Sequence, residues 1–180
     1  LHGIVSGKTL KEFRGHAACV NDAKFLADGA SILTCGSDGP AKLWDIKSST
    51  CTRTIMPPQI NAVTDTACNS VCLLPRSTDR FVVCNRTAAL YIMNLAGEVV
   101  TRLGSGDDEE RFMAAAISPR GKYVYGMAAS NTLYVYNIGE AKLVAKLRVP
   151  DADGMGVVHH PHMNMLASFS GSGIMRLWRS

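Results

Sequence analysis

Along the 180 residues, short apolar segments alternate with polar positions at the two-residue period of half-buried β-strands, and tight turns interrupt them at regular intervals. One pattern recurs four times: an alternating apolar segment, a turn, then two more short strands. The turns read Leu26-Ala27-Asp28-Gly29, Leu74-Pro75-Arg76-Ser77, Ser118-Pro119-Arg120-Gly121 and His160-Pro161-His162-Met163, with Pro or Asp-Gly supplying the turn chemistry. Each leads to a strand ending in an aromatic or large apolar anchor: Lys42-Leu43-Trp44-Asp45, Tyr91-Ile92-Met93-Asn94, Val135-Tyr136-Asn137 and Leu177-Trp178-Arg179. From the second turn residue to the anchor the separations are 17 (Ala27 to Trp44), 18 (Pro75 to Met93), 17 (Pro119 to Tyr136) and 17 (Pro161 to Trp178). Successive anchors lie 49, 43 and 42 residues apart, so the hairpin is constant and the variable length falls in the loop around Pro57 to Ala67. Leu1-His2-Gly3-Ile4 stands one step further back, with His2 42 residues before Trp44, as the matching strand of a preceding unit.

A period of about 42 residues with four short strands per unit predicts an all-β fold and resembles a β-propeller of the WD40 type. Gly15-His16 and Trp44-Asp45 match the two dipeptides that mark that family, and Ser37-Asp38-Gly39 matches the turn before its third strand. The resemblance implies that His16, Thr34, Asp38 and Trp44 form a structural tetrad, in which hydrogen bonds among imidazole, hydroxyl, carboxylate and indole run from the loop to the third strand. Only the first complete unit carries all four. The others keep a small polar residue in place of Asp38 (Thr87, Ser130, Ser172) and lose the histidine; two also lose the tryptophan, while Ser168 and Trp178 preserve part of the set in the last.

In that register the anchor strand is third in its blade and the next strand is the outer, fourth one. Complete blades are expected over about 19–56, 68–103 and 112–148. A partial blade over 1–13, with strands at 1–5 and 9–13, precedes them, and a three-stranded last blade over 155–179 follows. The expectation is the C-terminal part of a propeller, about four blades of a seven-bladed ring with N-terminal blades missing, because raw sheet edges are otherwise an aggregation liability. The alternative is a closed four-bladed ring in which residues 9–13 supply the outer strand of the last blade.

Four segments carry a closer resemblance. Ser6-Gly7-Lys8-Thr9-Leu10-Lys11-Glu12-Phe13-Arg14-Gly15-His16, Phe81-Val82-Val83-Cys84-Asn85-Arg86, Ser118-Pro119-Arg120-Gly121 and His159-His160-Pro161-His162 are similar to the Smu family of WD40 spliceosomal splicing factors. The first two are more specific than the general repeat demands, which asks for neither Lys-Glu-Phe-Arg nor Val-Val-Cys-Asn-Arg. The resemblance implies a nuclear scaffold in pre-mRNA splicing, with spliceosomal proteins as partners and RNA contacted only indirectly. It also implies that the partner called RED binds a helical N-terminal region with LisH-type motifs, outside these residues. Pro40, where a strand former is usual, and the acidic loop Asp107-Asp108-Glu109-Glu110 depart from the family pattern.

Composition agrees with one globular domain: 47% hydrophobic and 19% charged residues. Nineteen Lys and Arg against fifteen Asp and Glu leave a net charge of +4, scattered singly, so dedicated nucleic-acid binding is not implied. No run approaches the roughly 18 apolar residues that span a bilayer, and no signal peptide is recognisable. The chain opens on Leu1-His2-Gly3 instead of Met, which reads as processing or as a cut from something longer. Cys19, Cys35, Cys51, Cys68, Cys72 and Cys84 sit in apolar runs without a C-x-x-C pair, as reduced thiols of a cytosolic or nuclear protein do.

Several clusters could carry chemistry. His159, His160 and His162 invite a metal, but they straddle Pro161 at the turn position of every other unit, and neighbouring strand residues point to opposite faces. The run Asp107 to Glu110 reads as a solvated loop between blades. Gly104-Ser105-Gly106 and Gly171-Ser172-Gly173 lack the Lys-Ser/Thr continuation of a phosphate loop and read as turns. Asn85-Arg86-Thr87 matches a glycosylation acceptor that stays bare without secretion. Tyr123, Tyr125, Tyr134 and Tyr136 alternate on one hairpin and are expected to pack across strands.

No hydrolase elbow, zinc-protease helix or cofactor motif is present, so neither an enzyme nor a cofactor is expected. Function is then sought on the rim of the central channel, where successive blades present unlike residues. The family register places Cys19, Asn21 and Ser37 there in the first full blade, Ala67, Asn69 and Arg86 in the second, and Arg111, Met113 and Ala129 in the third. Asn69, Arg86 and Arg111 are the expected polar contacts to a protein partner, with Met113 as an adaptable apolar one. A generic WD40 adaptor, such as a ubiquitin-ligase substrate receptor, and an RNA-binding propeller are the alternatives.

Overall fold

The computed structural model describes residues 1–58, 67–150 and 154–179. The loop expected to absorb the variable length therefore lies largely outside the described residues. Four antiparallel sheets follow one another in chain order. The first is β1 (Val20–Phe25), β2 (Ser31–Gly36), β3 (Ala41–Asp45) and β4 (Cys51–Ile55). The second is β5 (Ser70–Leu73), β6 (Arg80–Cys84), β7 (Ala89–Asn94) and β8 (Val99–Gly104). The third is β9 (Phe112–Ile117), β10 (Tyr123–Ala128), β11 (Thr132–Asn137) and β12 (Lys142–Arg148). The last, β13 (Gly154–His159), β14 (Met165–Ser170) and β15 (Met175–Arg179), has three strands among the described residues. Strands pair only with their sequence neighbours, the meander of a propeller blade.

Burial explains which strand goes where. The second and third strands of the middle blade are buried almost throughout, as Phe81-Val82-Val83-Cys84 and Ala89-Leu90-Tyr91-Ile92-Met93, whereas the outer strands β4 and β12 are largely exposed. Three apolar clusters lie between successive sheets rather than within any one of them: Leu33, Ile55, Phe81 and Met93 between the first two, Leu90, Leu103, Phe112 and Tyr136 between the next, Met127, Leu133, Val157 and Leu166 between the last. A blade is thus stable only against its neighbour. In each complete blade the register slips at the anchor itself, between Leu43 and Trp44, Ile92 and Met93, Val135 and Tyr136. An irregularity there bends the outer strand and aims the anchor inward.

The turns between first and second strands are each closed by one side-chain acceptor. Asp28 accepts the amides of Ala30 and Ser31, Ser77 that of Arg80, Ser118 those of Lys122 and Tyr123, and His160 Nδ1 those of His162 and Met163. His160 is thereby a turn-forming residue. Pro40 sits just ahead of β3, where its missing N–H costs the ladder nothing.

Two expectations change. The strands expected at 1–5 and 9–13 are reduced to a single antiparallel bridge, His2 to Thr9, because no neighbouring strand of their own blade pairs with them. This segment does not join β15, as a closed four-bladed ring requires; it lies against the first blade, with the Phe13 ring edge-on to Trp44 at 5.8 Å and the Lys11 ammonium on the Lys47 carbonyl. The tyrosines, too, divide. Val124 pairs with Tyr136 and Tyr125 with Val135, so Tyr134 and Tyr136 face the second blade while Tyr123 and Tyr125 face the last.

Candidate interaction face

Antiparallel order puts the connections between second and third strands, and those between blades, on one rim of the stack. In the first blade this rim is held by the four residues of the expected tetrad, which the structure brings into one chain of hydrogen bonds. The Trp44 indole donates to Thr34 Oγ1 over 2.8 Å, Thr34 Oγ1 meets His16 Nε2 at 2.7 Å, and His16 Nδ1 meets the Asp38 carboxylate at 2.8 and 3.0 Å. A carboxylate only accepts, so Nδ1 carries the proton and Nε2 receives the threonine hydroxyl. Trp44 is 1% exposed. Burial works against the charge on Asp38, but the Ala17 amide and the His16 ring outweigh it and hold the carboxyl below its usual value. In the last blade the fragment survives as Trp178 Nε1 donating to Ser168 Oγ at 2.8 Å.

The third blade solves the same problem differently. The acidic loop is not wholly solvated: Asp107, Asp108 and Glu109 are exposed, but Glu110 is buried. Its carboxylate accepts the Ser130 hydroxyl at 2.5 Å, the Tyr134 hydroxyl at 3.3 Å and the amides of Arg111 and Ser130. Charge now comes from the loop and the hydroxyl from the turn, the reverse of His16 and Asp38. Four donors compensate the desolvation that drives an acid toward solvent, which a sequence of four acids in a row does not announce.

The expected partner-facing residues separate by burial. Cys19, Asn21, Ser37 and Ala129 are exposed, and Asn69, Arg86, Arg111 and Met113 are partly so. Ala67, at the start of the second blade, is buried at 5% exposure and is removed from the contact set, because a covered side chain offers a partner no surface. The remaining polar residues tie blades together. Asn21 donates to the Cys68 carbonyl and Asn69 to the Met113 carbonyl, both at 2.9 Å, each spanning to the next blade. Asn69 Oδ1 accepts from Arg86 Nε at 3.1 Å, and Arg86 adopts a left-handed φ of 53°. Arg111 Nη1 donates to the carbonyls of Asp108 and Glu110 at 2.8 and 2.7 Å. Arg86 is thus held in place at the wall of an open hollow of about 700 Å³, lined with it by Asn21, Lys24, Asn69, Met113 and Val157, while Arg111 is anchored within its own loop.

Inside the hollow, Asp22 pairs with Lys24 at 2.7 Å and accepts the Val71 amide of the next blade. Sequence reading missed this pair, whose only signal is two charges on alternate positions of an inner strand. The histidines do not converge: His159 lies against Tyr125, and His160 is spent on its turn.

The WD domain, G-beta repeat, matches residues 7–45, the stretch holding the complete tetrad. The chain is 32% identical over 170 residues to WD40 repeat-containing protein smu1 of Dictyostelium discoideum, covering 94% of this chain and 32% of that protein. It is 26% identical over 166 residues to target of rapamycin complex subunit LST8 of Mus musculus, covering 87% of this chain and 48% of LST8. The chain therefore spans about a third of one relative and about half of the other. With the repeat matched by its residues and four antiparallel sheets stacked in order, the chain carries a WD40 repeat and folds as part of a β-propeller.

Proposed function

We propose that this chain is a non-catalytic protein-interaction scaffold that works in pre-mRNA splicing, in the nucleus, within the spliceosome. The observation that carries the reading is the likeness to smu1, which extends over nearly the whole chain rather than over the repeat alone. Its contacts to protein partners are the upper-rim residues Asn69, Arg86, Arg111 and Met113, flanked by Cys19, Asn21, Ser37 and Ala129. Two anchored arginines beside a flexible thioether suit a partner that offers carboxylates around an apolar side chain. RNA is reached through those proteins. A second reading, a general adaptor subunit of another assembly, is favoured by the LST8 match, since that relative is named as a subunit of a different complex.

Affinity purification from nuclear extract tests the two, with the longest natural protein containing this chain as bait and a second bait lacking residues 1–180. Splicing factors that depend on the propeller are expected. Recovery of ligase or other complex subunits in their place supports the adaptor reading. Replacing Arg86 and Arg111 by Ala together should release the propeller-dependent subset, and retained binding discards this face.

A further inference from the structure

The turns between first and second strands open on the lower rim, opposite Arg86 and Arg111, because consecutive connections of an antiparallel meander lie at opposite ends. The repeat sets one residue at the same point of every such turn: Asp28 after Ala27, Arg76 after Pro75, Arg120 after Pro119 and His162 after Pro161. Asp28 is spent within its own turn on two amides and the Ser31 hydroxyl. The other three are basic and exposed.

Packing sets these three side by side. A methyl group on Gly121 would stand 3.3 Å from the Pro75 carbonyl oxygen, so the turn bearing Arg120 rests on the turn bearing Arg76. Arg120 and His162 line one cleft of about 400 Å³ between the last two blades, together with Lys122, Tyr123, His159 and Met163. Among the described residues no carboxylate lines it. Among the described residues, Arg76, Arg120 and Lys122 make no ion pair, and the one acid in the three turns, Asp79, accepts the Ser77 hydroxyl.

We propose that the lower rim of the last three blades binds an acidic, extended peptide segment of a protein partner. Its carboxylates meet Arg76, Arg120 and His162 in turn, one per blade, and an apolar side chain enters the cleft beside Met163. Charge complementarity selects an acidic ligand. Peptide is favoured over RNA because the Lys122 ammonium lies 5.2 Å over the Tyr123 ring centroid and occupies the face on which a base would stack. The site is independent of whichever partner the upper rim takes.

Fluorescence anisotropy of the full chain with a fluorescein-labelled peptide of alternating Glu and Leu tests the proposal, beside the same peptide with Lys for Glu and an oligouridine RNA. The acidic peptide should bind, the basic one should not, and affinity should fall as salt rises. The triple variant Arg76→Glu, Arg120→Glu, His162→Glu should weaken binding about tenfold or more, since two exposed charge pairs are reversed and a like charge is set at the third position. Arg148→Glu, a single charge reversal at the opposite, upper end of the outer strand β12, should leave it unchanged. All three rim side chains are exposed, and Arg76→Ala with Arg120→Ala removes the contacts without reversing charge should the triple variant misfold. Undiminished binding in these variants, or none to the native chain, overturns the proposal. RNA binding tighter than the peptide, and lost in the same variants, overturns the choice of ligand.

Discussion

At the residue scale, the hydrogen-bonded chain from Trp44 to Asp38 is expected to make the first blade the most costly to breach. Trp44→Ala removes a 1% exposed indole and the hydrogen bond it donates to the Thr34 hydroxyl. It should cost about 3–5 kcal/mol in chemical denaturation through cavity and lost packing. Trp178→Ala should cost less, because Trp178 is only partly buried and its partner Ser168 has no histidine behind it. Asp38 adds a pH dependence of definite sign. Its folded pKa lies below the ordinary 3.8, so its stabilisation is present above that pH and is lost as pH falls through the folded value. The gap in stability between the native chain and Asp38→Asn should be widest near neutrality and close in acid; urea melts across that range measure it. These four residues were legible because they match the tetrad positions of the WD40 pattern that the sequence resembles. Glu110 was not, since nothing local distinguishes a buried carboxylate with four donors from the three solvated ones before it.

At the element scale, the third blade shows what a repeat does when its polar set is lost. The position matching Thr34 is Gly126, and a Cβ there would lie 2.7 and 2.8 Å from the Phe112 ring and 2.9 Å from Leu90. Phe112 fills the space, edge-on to Tyr134 at 5.2 Å and to Tyr136 at 6.3 Å, and Tyr136 donates its hydroxyl to the Gly104 carbonyl at 3.0 Å. Aromatic packing thus replaces the hydrogen-bonded set. Gly126→Ala should destabilise by about 1–3 kcal/mol from overpacking. The double variant Gly126→Ala, Phe112→Leu should recover part of the loss in the same thermal melts; a fully tolerated alanine would show that the ring yields freely. The tyrosine alternation was visible in sequence, but which pair faces which blade depends on a register that one residue of slip reverses.

At the scale of the whole molecule, blades are joined by small polar groups as well as by apolar clusters. Asn21 and Asn69 reach the next blade's carbonyls, and the Cys72 and Cys84 thiols donate to the carbonyls of Ala115 and Phe112, each at 3.3 Å. Burial pushes the Cys72 thiol up to about 12 and raises that of Cys84, while contact with Cys35 and then burial raise that of Cys68. A raised thiol pKa keeps the sulfur protonated and unreactive. Iodoacetamide at about pH 8 should therefore label exposed Cys19 and Cys51 in the native protein and reach Cys35, Cys68, Cys72 and Cys84 only on unfolding, as peptide mass spectrometry will read. The order of strands within the four sheets and the anchors follow from local periodicity, because a hairpin's turn chemistry and alternation are properties of neighbouring residues. Which faces meet, that Glu110 turns inward, that Ala67 is covered, and that Arg76, Arg120 and His162 share one rim were decided only when the blades stacked. Those contacts join residues twenty or more positions apart, and no local pattern encodes the partner that desolvates a side chain.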